Sequence, residues 1–195
     1  MGNRGGRIHR LDRTLGTRRW ASRHWIACRL DFKGRHRPQM MMPGSYTELF
    51  FLDEATALAA GHRPCFECRR ADADQFAQLW AALRDLDGRA SVEEIDAVLH
   101  VERLAGPLGP DRWRAMRDVP DGVIVNCEGP HLMVDGRLVP WTIDGYGLPS
   151  AERPATVRLI TPPSIAAVIS AGYRPMVHPS AGSATDPRRL RTSLD

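Results

Sequence analysis

The stretch AAGHRPCFECRR, residues 59–70, constrains this chain more than any other, because it holds two of the four cysteines as a Cys-x-x-Cys pair directly behind the predicted end of a helix. The helix exit accounts for the residues that precede the sulfur. Gly61 suits the left-handed position that closes a helix, and Pro64 forbids helical backbone at the residue before it. Residues 169–178, ISAGYRPMVH, repeat the pattern with Met176 where the first copy has Cys65. Ala-Gly-x-Arg-Pro is therefore helix-exit chemistry in both places, and only Cys65 and Cys68 need a further reason.

Two thiolates at this spacing can converge on one zinc at about 2.3 Å, and a structural site needs two further ligands. A redox pair instead stands where a strand opens into a helix, whereas here a helix comes first. The chain has no run of eighteen apolar residues and no apolar stretch in its basic N-terminal segment, so neither a membrane span nor a secretory signal is expected. A cytoplasmic location follows as an expectation, and in a reducing compartment free cysteines are ligands or core residues more often than disulfides. The pair is read as half of a metal site.

The hydrophobic pattern predicts an α+β fold. Residues 1–20, Gly- and Arg-rich without periodicity, read as a flexible basic arm. HWIACRLDF and YTELFF read as strands, with Asp53 as the cap that starts the helix EATALAA. DADQFAQLWAALRDL places Phe76, Leu79, Trp80 and Leu83 on one stripe, and SVEEIDAVLHVERL opens with Ser91 and Glu94 in capping-box spacing and turns Ile95, Val98 and Leu99 inward. GVIVNCEGPHLMVDGRLVPW reads as strands joined by a turn at Asp135-Gly136, and ATVRLI as a further strand. TPPSIAAVISAG reads as a final helix with Thr161 as cap and Pro162 at its first position. These signals predict a metal-binding module over residues 21–88, a helix with a strand-rich unit over 89–180, and a disordered tail over 181–195.

FFLDEATALAAGHRPCFECRR resembles the second half of the metal-binding domain of the Ada DNA-repair proteins. In that family an aromatic strand, a helix ending in Ala-Gly and a Gly-x-Arg-Pro-Cys-x-x-Cys exit supply the last two of four zinc cysteines. A related module of some thermonuclease-like proteins ends the same way. The resemblance covers residues 24–72, with its specific part at 49–70. It implies a bound Zn2+ and an association with DNA. The family's upstream Cys-Arg-Pro-x-Cys motif is matched here by HRPQM, which puts His36 and Met40 in the two cysteine positions. Histidine ligates zinc well, whereas a neutral thioether suits softer metals. The resemblance thus implies Cys65, Cys68 and His36 as ligands and leaves the fourth position open, for which the chain itself offers Cys28, read first as a small core residue of its strand, and Cys127 or His131 in NCEGPH. It also implies that the family's methyl-accepting cysteine is replaced, so phosphotriester repair is not expected.

Charge points the same way. The first 70 residues carry fourteen Lys and Arg against six Asp and Glu, a balance that suits phosphate. Arg35, Arg37 and Arg63 are the expected nucleic-acid contacts; Arg63 matches an Ada-family arginine beside the DNA backbone. Asp96, His100 and Arg103 share one helix face, where a carboxylate one turn from a histidine could set up a general base, although a solvated face is the commoner outcome. Trp141 and Tyr146 in PWTIDGYG suit base stacking or a β-core. No phosphate-binding glycine loop, nucleophile elbow or dinucleotide fingerprint is present. The sequence therefore favours a zinc-binding, DNA-associated protein over two alternatives: a metal-dependent enzyme of hydrolase or nuclease type, and a zinc-built interaction domain without catalysis.

Overall fold

The computed structural model describes residues 1–34, 39–109 and 111–182. In chain order the elements are β1 (Gly2–Arg4), β2 (Trp25–Ala27), α1 (Glu54–Ala59), β3 (Arg63–Pro64), α2 (Arg70–Ala82), α3 (Val92–Ala105), β4 (Trp113–Ala115), β5 (Ile124–Asn126), β6 (Pro130–Val134), β7 (Arg137–Thr142), β8 (Gly145–Tyr146), β9 (Thr156–Leu159) and α4 (Pro163–Ser170). The fold is α+β, as the pattern predicts. The chain forms two compact units, one of residues 1–51 with 62–100, the other of 52–61 with the residues from 101 onward. These differ from the predicted boundaries: the helix before the cysteine pair belongs to the second unit, and α3 begins in the first unit and ends in the second.

In the first unit β2 lies between β1 and β3, antiparallel to the former and parallel to the latter. Residues 1–20 are not a free arm. Gly2–Arg4 pair with Trp25–Ala27, and Ile8 and His9 are buried, their amides donating to Thr47 Oγ1 at 2.8 and 3.1 Å. YTELFF does not form a strand; only Leu49 bridges to Gly2. α2 buries Ala73, Phe76, Ala77 and Trp80, with the rings of Phe76 and Trp80 stacked 5.9 Å apart, and it ends before Leu83, which is exposed. The capping box of α3 forms as expected: Ser91 N and Oγ donate to Glu94 Oε2, each at 2.8 Å, and Glu94 N returns a bond to Ser91 Oγ at 3.2 Å. Ile95 and Leu99 are buried, but Val98 faces solvent, because Asp96 takes the inward place beside them.

The second unit is built on an antiparallel sheet in the order β4-β9-β5-β6-β7-β8. Asp135 (φ 49°) and Gly136 (φ 66°) make the tight turn between β6 and β7, a left-handed pair that aspartate and glycine tolerate best. Ala55 of α1 packs with Ile124, Leu132, Val139 and Tyr146 on the sheet. Asp53 caps α1 through Thr56 N at 2.8 Å and also accepts from Tyr146 Oη and His178 N at 2.8 and 2.9 Å. Tyr146 is thus a β-core residue, and its burial beside Asp53 pushes the phenol above its ordinary range. Thr161 does not cap α4: its hydroxyl accepts from Ile124 N at 2.9 Å, and Pro162 takes the cap position. The Glu102 carboxylate replaces it, accepting from Ser164 N at 3.1 Å and Ser164 Oγ at 2.6 Å.

Candidate metal centre

The parallel pairing of β2 and β3 builds the site. Ile26 stands opposite Arg63 and Ala27 opposite Pro64, so the next residues, Cys28 and Cys65, leave two neighbouring strands at the same level. The ladder continues into them, with Cys65 N donating to Ala27 O at 3.0 Å and Cys28 N donating to Met1 O at 2.7 Å. The turn after Cys65 closes when Arg69 N donates to Cys65 O at 3.0 Å, which brings Cys68 back over the strand ends just before α2 starts. The sulfurs of Cys28, Cys65 and Cys68 lie within 4.8 Å of one another. Among the described residues this is the only such group of metal-ligating side chains.

The surroundings suit thiolates. Arg29 N donates to Cys68 Sγ at 3.3 Å and Glu67 N to Cys65 Sγ at 3.4 Å. Hydrogen bonds from Cys28 and Cys68 hold the Cys65 thiol far below its ordinary range, while those same contacts and burial push Cys28 up. For Cys68 the hydrogen bond with Cys28 pulls the thiol down, but the one with Cys65 and burial outweigh it, so it too is raised. The cluster so described keeps one negative charge, since three close thiolates repel one another unless a cation sits between them. Sulfurs at about 2.3 Å from a zinc stand about 3.8 Å apart in a tetrahedron, so a triangle with edges below 4.8 Å closes on an ion with small side-chain movement. The donor set fits a thiophilic metal, and three protein sulfurs leave one tetrahedral place for a further ligand.

The predicted ligands divide accordingly. Cys65 and Cys68 take their place in the cluster. Cys28 joins them because β2 ends at Ala27 and turns it toward the pair. His36, Arg35 and Arg37 lie outside the described residues. Among the described residues Cys127 and His131 belong to no such cluster: Cys127 Sγ meets Glu152 Oε2 at 3.5 Å, and His131 Nδ1 donates to Gly129 O at 3.1 Å. His62 packs as a ring, 5.3 Å from Trp25 and 4.7 Å from Phe51.

Arg63 and the face of α3 also depart from expectation. Arg63 is 5% exposed, and Asp96 takes its guanidinium through two bonds, so it is not presented to a phosphate. Asp96 is buried rather than solvated, and its partner histidine is His24, whose Nδ1 donates to Oδ2 at 2.8 Å. His100 instead meets the edge of Trp20 at 5.5 Å. Arg103 donates to Gly61 O at 2.9 Å.

Comparison with protein-family models, curated proteins and solved structures gives no match. No helix among the described residues is long and apolar enough to cross a membrane.

Proposed function

We propose that this chain is a zinc-binding, DNA-associated protein whose ion is held by Cys28, Cys65 and Cys68, with one further coordination place. The carrying observation is the matched exit of Cys28 and Cys65 from adjacent parallel strands, with Cys68 one turn on. An all-sulfur set favours zinc among the ordinary divalent ions, and ligand convergence would tie the strand ends to α2. The DNA half rests on the resemblance to the Ada module and on the basic first 70 residues, with Arg29 and Lys33 exposed just after Cys28. Metal content of the purified chain tests the first half. Salt-dependent binding of a DNA duplex tests the second.

A second reading is favoured by the partial exposure of Cys28 beside the buried Cys65. With His36 as the upstream ligand no thiolate would be left there to accept an alkyl group; with Cys28 in the cluster, a thiolate upstream of the pair is available. Metal-bound thiolates stay deprotonated and nucleophilic, so Cys28 would attack the methyl carbon of a DNA phosphotriester and release the phosphodiester. Mass analysis after incubation with such an oligonucleotide decides it. One methyl group on Cys28 supports the reading, and an unmodified chain with its metal in place removes it.

A further inference from the structure

A second site lies away from the cysteines, in the segment expected to be a loose arm. Residues 8–16 fold back as a small hairpin: Arg10 N donates to Thr14 O at 2.8 Å, Gly16 N to Ile8 O at 3.3 Å, and His9 bridges to Leu15. An open groove of about 290 Å³ runs along it, lined by Arg7, His9, Arg10 and Arg18 with Ile8 and Thr17. It is open and polar where sites for drug-sized molecules are enclosed and apolar, so it suits a small charged group.

Its charge is offset only in part, by the attraction between Arg10 and Asp12. Arg7, Arg10 and Arg18 form no ion pair with a carboxylate among the described residues. The nearest acid in sequence, Asp12, is held in the hairpin turn, accepting from Thr14 N at 3.0 Å and Thr14 Oγ1 at 2.7 Å. Those bonds, with a smaller pull from Arg10, hold its carboxyl below the usual range, so Asp12 is tied down as an anion in the turn. Arg18 is steadied by carbonyls, its Nε donating to Trp20 O at 2.9 Å and Nη2 to Ala21 O at 3.4 Å. Its Nη1 remains for a ligand.

His9 supplies the second, independent observation. It is 7% exposed, and its Nδ1 lies 2.7 Å from Thr47 Oγ1. That oxygen already accepts from Ile8 N and His9 N, which uses both its lone pairs. The one hydrogen of the hydroxyl must then be donated to Nδ1, and the ring proton resides on Nε2. Nε2 has no hydrogen-bond partner among the described residues, and His9 is one of the residues that line the groove. A buried imidazole is thus fixed as a single donor beside three arginines, none of which forms a close ion pair among the described residues.

We propose that this groove binds a phosphate oxyanion, whose oxygens accept from Arg7, Arg10, Arg18 Nη1 and the Nε2–H of His9, and that the phosphate belongs to a nucleic-acid backbone. The assignment of source rests on the DNA half of the proposed function; the phosphate chemistry and the metal site do not depend on each other. The test uses the full chain, a random-sequence DNA duplex, and inorganic pyrophosphate as the free oxyanion. Duplex affinity is measured at about 50 and about 200 mM salt for wild type, Arg7→Gln/Arg10→Gln, and Arg117→Gln/Arg137→Gln, a control of equal charge change in the second unit. The His9 Nε2–H resonance is followed with both ligands.

One phosphate contact releases about 0.9 counterion, close to tenfold in affinity at about 0.1 M salt. The groove variant should therefore bind duplex at least about tenfold more weakly, with a salt slope flatter by about one to two, while the control matches wild type. The duplex should move the His9 resonance. If wild type fails to bind duplex, the DNA reading falls and pyrophosphate decides the groove alone: a His9 shift absent from the groove variant assigns a free oxyanion. The groove itself is overturned if its variant binds duplex as wild type does, or if neither ligand moves His9.

Discussion

Arg63 and Asp96 meet as a two-pronged ion pair across 33 positions of sequence, Nε to Oδ1 at 3.1 Å and Nη2 to Oδ2 at 2.7 Å, with side chains 6% and 2% exposed. Arg63 belongs to β3, the short strand that delivers Cys65, and Asp96 to α3. The pair therefore anchors the strand on which the metal site depends.

Removing one partner leaves a buried charge without compensation. Asp96→Ala should destabilise the first unit by about 3–5 kcal/mol, whereas replacing both side chains, Asp96→Leu with Arg63→Met, should cost much less. Denaturant unfolding of the two variants checks this. Equal losses would show that the uncompensated Arg63 charge is not what the single variant loses stability to.

Asp53 performs three tasks with one carboxylate: it caps α1, receives the Tyr146 hydroxyl and receives the His178 amide. Asp53→Ala should lower the stability of the second unit by about 2 kcal/mol, the sum of a lost cap and an orphaned hydroxyl. Asp53→Asn keeps the acceptor and should recover most of the cap. Thermal unfolding followed at the Tyr146 environment reads both.

Metal uptake should be coupled to protons. In the free cluster Cys65 is ionised across the neutral range, whereas Cys28 and Cys68, both raised, keep their protons. Those two protons must leave before all three sulfurs bind, so affinity rises with pH and is lost as pH falls. The sign follows from the raised groups, and the window runs from neutrality past the ordinary thiol range. Calorimetry in buffers of different ionisation heat should count about two protons released per ion near pH 7.

Local signals in the sequence were legible where the partner is a near neighbour. Asp53 and Thr56, Ser91 and Glu94, and the Asp135-Gly136 turn all form as their spacing predicts. The two helix exits also agree: Gly61 and Gly172 take positive φ, and the rings that follow, His62 and Tyr173, are both buried. Failures gather where a distant residue decides. Thr161 is taken by Ile124, so Glu102 caps α4 from 62 positions away. Arg63 reads as a surface cation until Asp96 is placed against it. Cys28 reads as a core residue because its strand appears longer than it is, and a parallel register between Trp25–Ala27 and the two residues before Cys65 has no local signature. The available clue was the end of alternation after Ala27, which puts Cys28 at a strand exit just as Pro64 puts Cys65 at one.

The membership of Cys28 is the central claim, and metal stoichiometry tests it most directly. Zinc content and the sulfur-to-metal charge-transfer bands of the cobalt-loaded chain should be measured for wild type and for the Cys28→Ser, Cys65→Ser, Cys68→Ser and Cys127→Ser variants. The account predicts one ion per chain in wild type and in Cys127→Ser, with weakened uptake and reduced sulfur bands in each of the other three. Full zinc retention and unchanged bands in Cys28→Ser would contradict it.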